Sequence, residues 1–383
     1  MQKPVYIQEA SLITPLGFSV SENVSAIEKE QSGIQEQHCT DILDTPFYAA
    51  MIASEKIDAA FEKLGDPSKF MKLEKMMLLS VAETVEKSKL HISEKTALII
   101  ATTKGSIDAL DPDNSFSEER AYLPVLGKKI QSFFGFKEEP IVVSNACVSG
   151  ILAVAVAKRL IQNNVCENAV VVAGDLVSKF TVTGFNTFQA LSDGPCKPYS
   201  KYRNGISIGE AAASVVVSSE KNKNTIIEVV GDGSCNDANH ISGPSRTGEG
   251  LLKSIQSAMK EAKISANNID LISAHGTATI YNDEMEAIAF NRANLQQVPL
   301  HSLKGYYGHT LGASGLVEAI VGFEAMKQNK LFTSLGYDES GTSKPLNIIQ
   351  KVENCTVNTF LKTASGFGGS NAAVLFKKVA FEQ

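Results

Sequence analysis

The sequence predicts an α/β fold made of two halves built on one plan. Apolar runs rich in Val and Ile alternate with longer stretches at helical spacing. The order of those elements in the second part of the chain repeats the order in the first. Each part also closes alike, with a glycine followed by a small-residue and β-branched run, at 209–217 and again at 368–376.

Taken in order, a strand at 4–7 has its counterpart at 225–230. The run 97–101, followed by Thr102-Thr103-Lys104-Gly105, matches 270–274, followed by His275-Gly276-Thr277. The strand 140–144 leads through Cys147 into a helix over about 148–163. Its counterpart, 299–303, leads through His309 into a helix over about 312–327. The polar turn Lys221-Asn222-Lys223-Asn224 is the natural seam, dividing the chain into halves at 1–222 and 223–383. Extra length in the first half falls at about 20–90 and 106–138. The second of these reads as a loop-and-helix excursion over one edge. Within the first, 66–88 is amphipathic and places Phe70, Leu73, Met77 and Val81 on one helical face.

Composition narrows the function classes. With 383 residues, 43% of them hydrophobic, the chain can bury a large core. A net charge of −6 gives no global reason to bind nucleic acid or a membrane surface. Met1-Gln2-Lys3-Pro4 opens no long apolar run, and no stretch approaches the roughly 20 residues that span a bilayer, so neither a signal peptide nor a membrane span is expected. The six cysteines are scattered without a C-x-x-C pair, which argues against a zinc site and a disulfide framework. A reduced cytoplasm is the expected setting, with no metal and no cofactor.

Cys147 carries the sharpest chemical signal. A buried-strand pattern ends at Ser144-Asn145-Ala146, then come the cysteine, Val148-Ser149-Gly150 and an almost wholly apolar helix. A thiol at a helix start meets the dipole and unpaired N–H groups, which favour thiolate. A buried structural cysteine is the competing reading. His275 and His309 follow strands in equivalent loops and are bracketed by small residues. Strand C-termini sharing one sheet edge would bring both near Cys147. Either histidine alone reads better as structural; the pair reads as functional.

Asn145-Ala146-Cys147-Val148-Ser149-Gly150, His275-Gly276-Thr277 with Asn282-Asp283, Lys304-Gly305-Tyr306-Tyr307-Gly308-His309 and Gly366-Phe367-Gly368-Gly369-Ser370-Asn371 resemble the ordered motifs of elongating-type β-ketoacyl-acyl-carrier-protein synthases. The likeness runs nearly the length of the chain. It implies the thiolase-like fold: duplicated halves in a five-layer αβαβα arrangement, dimeric. It also implies that Cys147 takes an acyl group and that His275 and His309 stabilise the enolate of a malonyl thioester as CO2 departs. Lys304 and Glu318 would be a buried ion pair orienting the histidine loop, and the apolar neighbours of Glu318 argue independently for its burial. Asp283 would support the site, although Asn282-Asp283-Glu284 could equally be a helix cap. Phe367 would be a gate over the cysteine, and the amides of Cys147 and Phe367 an oxyanion hole.

The C-terminal glycine loop holds no second cysteine of the thiolase kind, and a histidine stands where priming synthases carry asparagine. Departures at 198–205, 209–213 and 102–108 leave chain length open and hint at a polyene or polyketide pathway rather than bulk fatty-acid synthesis. The implied partners are an acyl carrier protein, acyl and malonyl thioesters, and a second copy or a ketosynthase partner. A non-condensing, chain-length-factor-like subunit is the alternative. Lys69, Lys72 and Lys75, at helical spacing and opposed nearby only by Glu74, are the expected carrier-docking face.

Overall fold

The structure is a computed structural model, and it describes residues 3–222, 225–237 and 243–379. The predicted seam therefore lies partly outside the described residues, at Lys223 and Asn224.

Ten strands carry the architecture. The first half supplies β1 (Tyr6–Ile13), β2 (Thr96–Ala101), β3 (Ile141–Val143), β4 (Asn168–Asp175) and β5 (Ala211–Ser218). The second half supplies β6 (Ile227–Asn236), β7 (Leu271–Ser273), β8 (Pro299–His301), β9 (Thr359–Gly366) and β10 (Ser370–Lys378). Their spatial orders are β3-β2-β4-β5-β1 and β8-β7-β9-β10-β6, the same path twice. The pairing senses match as well: parallel across the first two contacts, antiparallel across the last two. A short antiparallel contact, Tyr6 with Glu228 and Ile7 with Ile227, joins the two sheets. The strands expected at 4–7 and 225–230 are thus the starts of longer ones.

Alternation along the strands sorts the layers. Ala169, Val171 and Ala173 of β4 enter one core, while Val170 and Val172 enter another. On β10, Val374 and Phe376 face the first core and Ala373 and Leu375 a third. Both faces of each sheet are covered, which is why these strands read as unbroken apolar runs. The outer face of the first sheet carries α1 (Lys72–Ser88) and α2 (Leu123–Phe134). Between the sheets lies α3 (Ser149–Gln162). Beyond it come α4 (Lys179–Thr187), flanking a cavity lined in part by Cys147, and α5 (Glu249–Ala262) and α6 (Ile280–Arg292), which cover the second sheet's outer face. The last helix, α7 (Ser314–Gln328), packs beside α3 in the middle layer and is apolar nearly all round, as a doubly buried helix must be. Helices, sheet, helices, sheet, helices: the fold is the five-layer thiolase-like arrangement.

The start of α3 lies directly against the start of α7. A Cβ at Gly150 would stand 2.8 Å from the Gly312 carbonyl oxygen, and one at Gly315 would stand 2.8 Å from the Ile151 nitrogen. Only glycine permits that approach, and it brings the Cys147 turn and the His309 loop together.

The amphipathic helix begins later than its periodicity predicts. Asp66 caps a short 3-10 turn, Pro67–Lys69, and Met71 is extended, so the helix starts at Lys72. Phe70 still packs inward, its ring centroid 5.1 Å from Phe61 and 5.8 Å from Phe133. Among the described residues no helix is long and apolar enough to cross a membrane.

Candidate active site

Cys147 sits in the turn between β3 and α3. Ala146 takes a left-handed φ of 45°, and Ser149 Oγ fixes the turn by accepting from the Asn145 N–H (2.8 Å) and donating to the Ala146 carbonyl (2.6 Å). Gly366, at the end of β9, passes so close that a Cβ there would lie 3.0 Å from the Cys147 nitrogen. The thiol is buried. Burial pushes it up to about 11, against the opposing pull of the Lys304 and Lys104 charges and the Phe367 amide. This runs against the expectation of a thiolate favoured by the helix dipole: the helix begins two residues later, at Ser149, and desolvation outweighs the lysine charges and the Phe367 amide. Iodoacetamide should accordingly alkylate Cys147 with a rate that climbs about tenfold per pH unit from neutral to about pH 10. A rate already flat at neutral pH would show a resting thiolate.

His275 and His309 stand edge to face, with ring centroids 5.1 Å apart, and a nitrogen of each lies within 4.8 Å of the cysteine sulfur and of the other. Burial and the Lys304 charge hold both imidazoles well below their usual range, so both are neutral at neutral pH. The donors that meet Nδ1 set their protons. Nδ1 of His309 accepts the Leu311 N–H at 3.0 Å, with Ser314 Oγ 3.2 Å away. Nδ1 of His275 lies 3.4 Å from the Lys304 ammonium. Each ring therefore carries its proton on Nε2, the nitrogen left for the cavity.

The same three residues are close enough to hold a metal ion. A metal-bound histidine, however, normally donates its remote N–H to an acceptor. Here the remote nitrogens are themselves acceptors, which suits a pair of hydrogen-bond donors instead.

The loops are held from below. Lys304 donates to Glu318 Oε1 (2.7 Å) and to the His275 carbonyl, and all three groups are buried. Glu318 Oε2 takes a second ammonium, Lys362, at 2.5 Å. Asp283 accepts the Tyr199 and Thr277 N–H groups (2.7 and 2.9 Å) and faces Arg203 at 3.6 Å. Burial pushes its carboxyl up to about 7. Glu286, one turn on, accepts the His275 and Gly276 amides at 2.8 and 2.6 Å. Asp175 accepts from Thr103 and from the Gly312 amide (2.7 Å), tying the 102–105 loop to the start of α7.

Glu286 and Lys362 escaped the sequence reading. The signal that flagged Glu318, a charge amid apolar neighbours, was present for Glu286, between Met285 and Ala287, and more weakly for Lys362, which follows Phe360-Leu361 but precedes Thr363.

A cavity of about 370 Å³ opens above the three residues and is walled by Phe185, Phe188, Ile206, Tyr281 and Phe367. Phe367 is 38% exposed, and its ring centroid lies 5.5 Å from that of Phe185 and 5.6 Å from that of Phe188. Gly368 and Gly369 behind it adopt φ of 82° and 79°, and the space around the Gly368 Cα is open.

The lysine cluster is different. Lys69 is exposed beside Asp66, 3.7 Å away, but Lys72 turns inward to Glu210 and the Ile52 carbonyl, and Lys75 pairs with Asp58. Glu74, the acid expected to oppose them, is buried against Arg120 at 2.6 Å. The three do not form a basic surface: the 3-10 turn takes Lys69 off the helix, and acids distant in sequence claim the other two. Lys72→Glu should lower stability by about 3–5 kcal/mol, because it sets a second carboxylate beside buried Glu210. Lys69→Glu should leave the melting temperature almost unchanged; equal effects from both would contradict the inward placement.

Comparison with known proteins settles the family. The N-terminal domain model of beta-ketoacyl synthases matches residues 2–223, and the C-terminal domain model matches 226–338. The chain belongs to the β-ketoacyl synthase family. Among curated relatives, a 3-oxoacyl-[acyl-carrier-protein] synthase 2 of Rhizobium meliloti is 34% identical over 62% of this chain and 60% of its own length. Another, from Staphylococcus aureus, is 26% identical over 98% of both chains. Among solved structures, a beta-ketoacyl synthase from Burkholderia phymatum covers 99% of this β-ketoacyl synthase chain and 100% of its own, at TM-score 0.87 and 22% identity. A chain from the complex of a ketosynthase with its chain length factor, from Xenorhabdus doucetiae, covers 98% of both chains at TM-score 0.85 and 22% identity.

Proposed function

We propose that this β-ketoacyl synthase family member performs a decarboxylative Claisen condensation between an acyl group carried on Cys147 and a malonyl thioester on an acyl carrier protein. Residues 1–222 would supply the nucleophile and residues 223–383 the two histidines. The observation that carries the reading is the pair of buried imidazoles grouped with one buried thiol, each with Nδ1 facing a donor so that Nε2 is the nitrogen free to donate.

In the first half-reaction the Cys147 sulfur bonds to the acyl carbon, the carrier's C–S bond breaks, and the thiol proton leaves with the carrier thiol. Neither histidine can take that proton on Nε2, since each already holds one there. The oxyanion would lie between the amides of Cys147 and Phe367. In the second half-reaction the malonyl carboxylate leaves as CO2 and its electron pair passes into an enolate. The oxygen of that enolate accepts from His275 and His309. The enolate carbon then attacks the acyl-Cys147 carbonyl, and the sulfur departs as thiolate and takes a proton from solvent water.

The aromatic cavity wall and the ketosynthase relatives support a fatty-acid or polyene/polyketide acyl chain. The solved complex of a ketosynthase with its chain length factor supports a second synthase subunit as partner, with this chain, which holds Cys147, in the condensing role. The direct test incubates acyl and malonyl carriers with the enzyme and reads the products by mass spectrometry. A carrier-bound 3-oxoacyl chain supports the reading; free acid alone would make the site a hydrolase.

A further inference from the structure

Lys362 does not line the cavity, yet three of its four acceptors lead to His275. It interrupts a strand buried from Thr359 to Ser365, and a fully buried ammonium is costly unless acceptors surround it. Four oxygens do: Glu318 Oε2 at 2.5 Å and the carbonyls of Thr363 at 2.7 Å, Ser273 at 3.1 Å and Ala274 at 3.3 Å. Ser273 and Ala274 are the two residues that deliver the chain to His275. Glu318 is the carboxylate whose other oxygen holds Lys304, and Lys304 in turn reaches the carbonyl and Nδ1 of His275.

We propose that Lys362 is a positioning residue for His275. It anchors the end of β7 and shares Glu318 with Lys304, which leaves the Lys304 ammonium directed at Nδ1 and the imidazole proton on Nε2. Without Lys362, Glu318 has Lys304 alone to neutralise it and draws that ammonium off the ring. His275 then shifts toward the Nδ1–H tautomer, whose Nε2 accepts where the enolate needs a donor. The catalytic consequence rests on the condensation reading above; the tautomer does not.

The test uses two variants. Lys362→Met keeps the volume of the stem without its charge, and Lys362→Ala empties the cage. ¹⁵N spectra of ring-labelled protein should show His275 as Nε2–H in the wild type and as a mixture of tautomers in Lys362→Met. Malonyl decarboxylation in Lys362→Met should fall about 100-fold while acylation of Cys147 stays near wild type. Ammonium chloride should restore part of the decarboxylation in Lys362→Ala, and sodium chloride at equal ionic strength should restore less. An unchanged His275 tautomer in Lys362→Met overturns the proposal. So does a packing pattern, in which Ala is worse than Met and ammonium has no effect. A wild type that never decarboxylates malonyl carrier would count against the condensation reading instead, with the spectra still deciding the role of Lys362.

Discussion

Cys147→Ala is expected to end both acyl-enzyme formation and condensation, with a loss of at least about 10³-fold in turnover. Cys147 is the one cysteine lining the described cavity, and its sulfur shares the space with both histidines. Cys196 is the nearest competitor by chemistry, since burial likewise pushes it up to about 11, but its sulfur faces the Lys304 carbonyl at 3.2 Å, behind the site. Cys166 is buried in the core between the sheets and Cys235 lies on β6, so Cys166→Ala and Cys235→Ala should leave both half-reactions near wild type. Intact-mass spectra locate the acyl group directly. An acyl adduct that persists in Cys147→Ala would remove the nucleophile from this assignment.

His275→Ala or His309→Ala should lower malonyl decarboxylation by about 10²–10³-fold while slowing acyl transfer to Cys147 by less than about tenfold. The asymmetry follows from the proton positions. With Nδ1 of His309 accepting from Leu311 and Nδ1 of His275 facing an ammonium, each ring can donate to an oxygen and neither can strip the thiol. In the proposed reaction only the second half-reaction builds negative charge on an oxygen within their reach. Single-turnover acylation measured beside CO2 release separates the two steps. Equal losses in both would mean that the histidines serve the thiol.

How far the sequence reached depended on the range of the interaction that decides each feature. Period-two and helical patterning gave the order of the strands and helices, the duplication, and the strand-to-helix turn at Cys147, because each of these is encoded within a few residues. Patterning gave the start of α1 poorly: Pro67 and the extended Met71 break the helix where the apolar spacing alone would continue it. It failed outright for the lysines. Helical spacing made Lys69, Lys72 and Lys75 look like one face, but Glu210 and Asp58 decide where two of them point, and nothing in 66–88 announces those partners.

By itself, then, the amino-acid order determined the two-half α/β plan and the loops that carry the thiol and the two imidazoles. Tertiary structure decided their chemical states. A thiol at a helix start reads as activated until the sheets close over it and desolvation raises it to about 11. A histidine tautomer is open until a particular N–H or ammonium meets Nδ1, and the Leu311 amide and Lys304 arrive there only through folding. Glu318 reads as the partner of Lys304, while Glu286 and Lys362 read as isolated charges along the chain. Folding brings them to the His275 loop, Glu318 from the middle-layer helix α7, Lys362 from strand β9 of the second sheet and Glu286 from the outer helix α6, and buried charges there must be met by each other or by backbone groups.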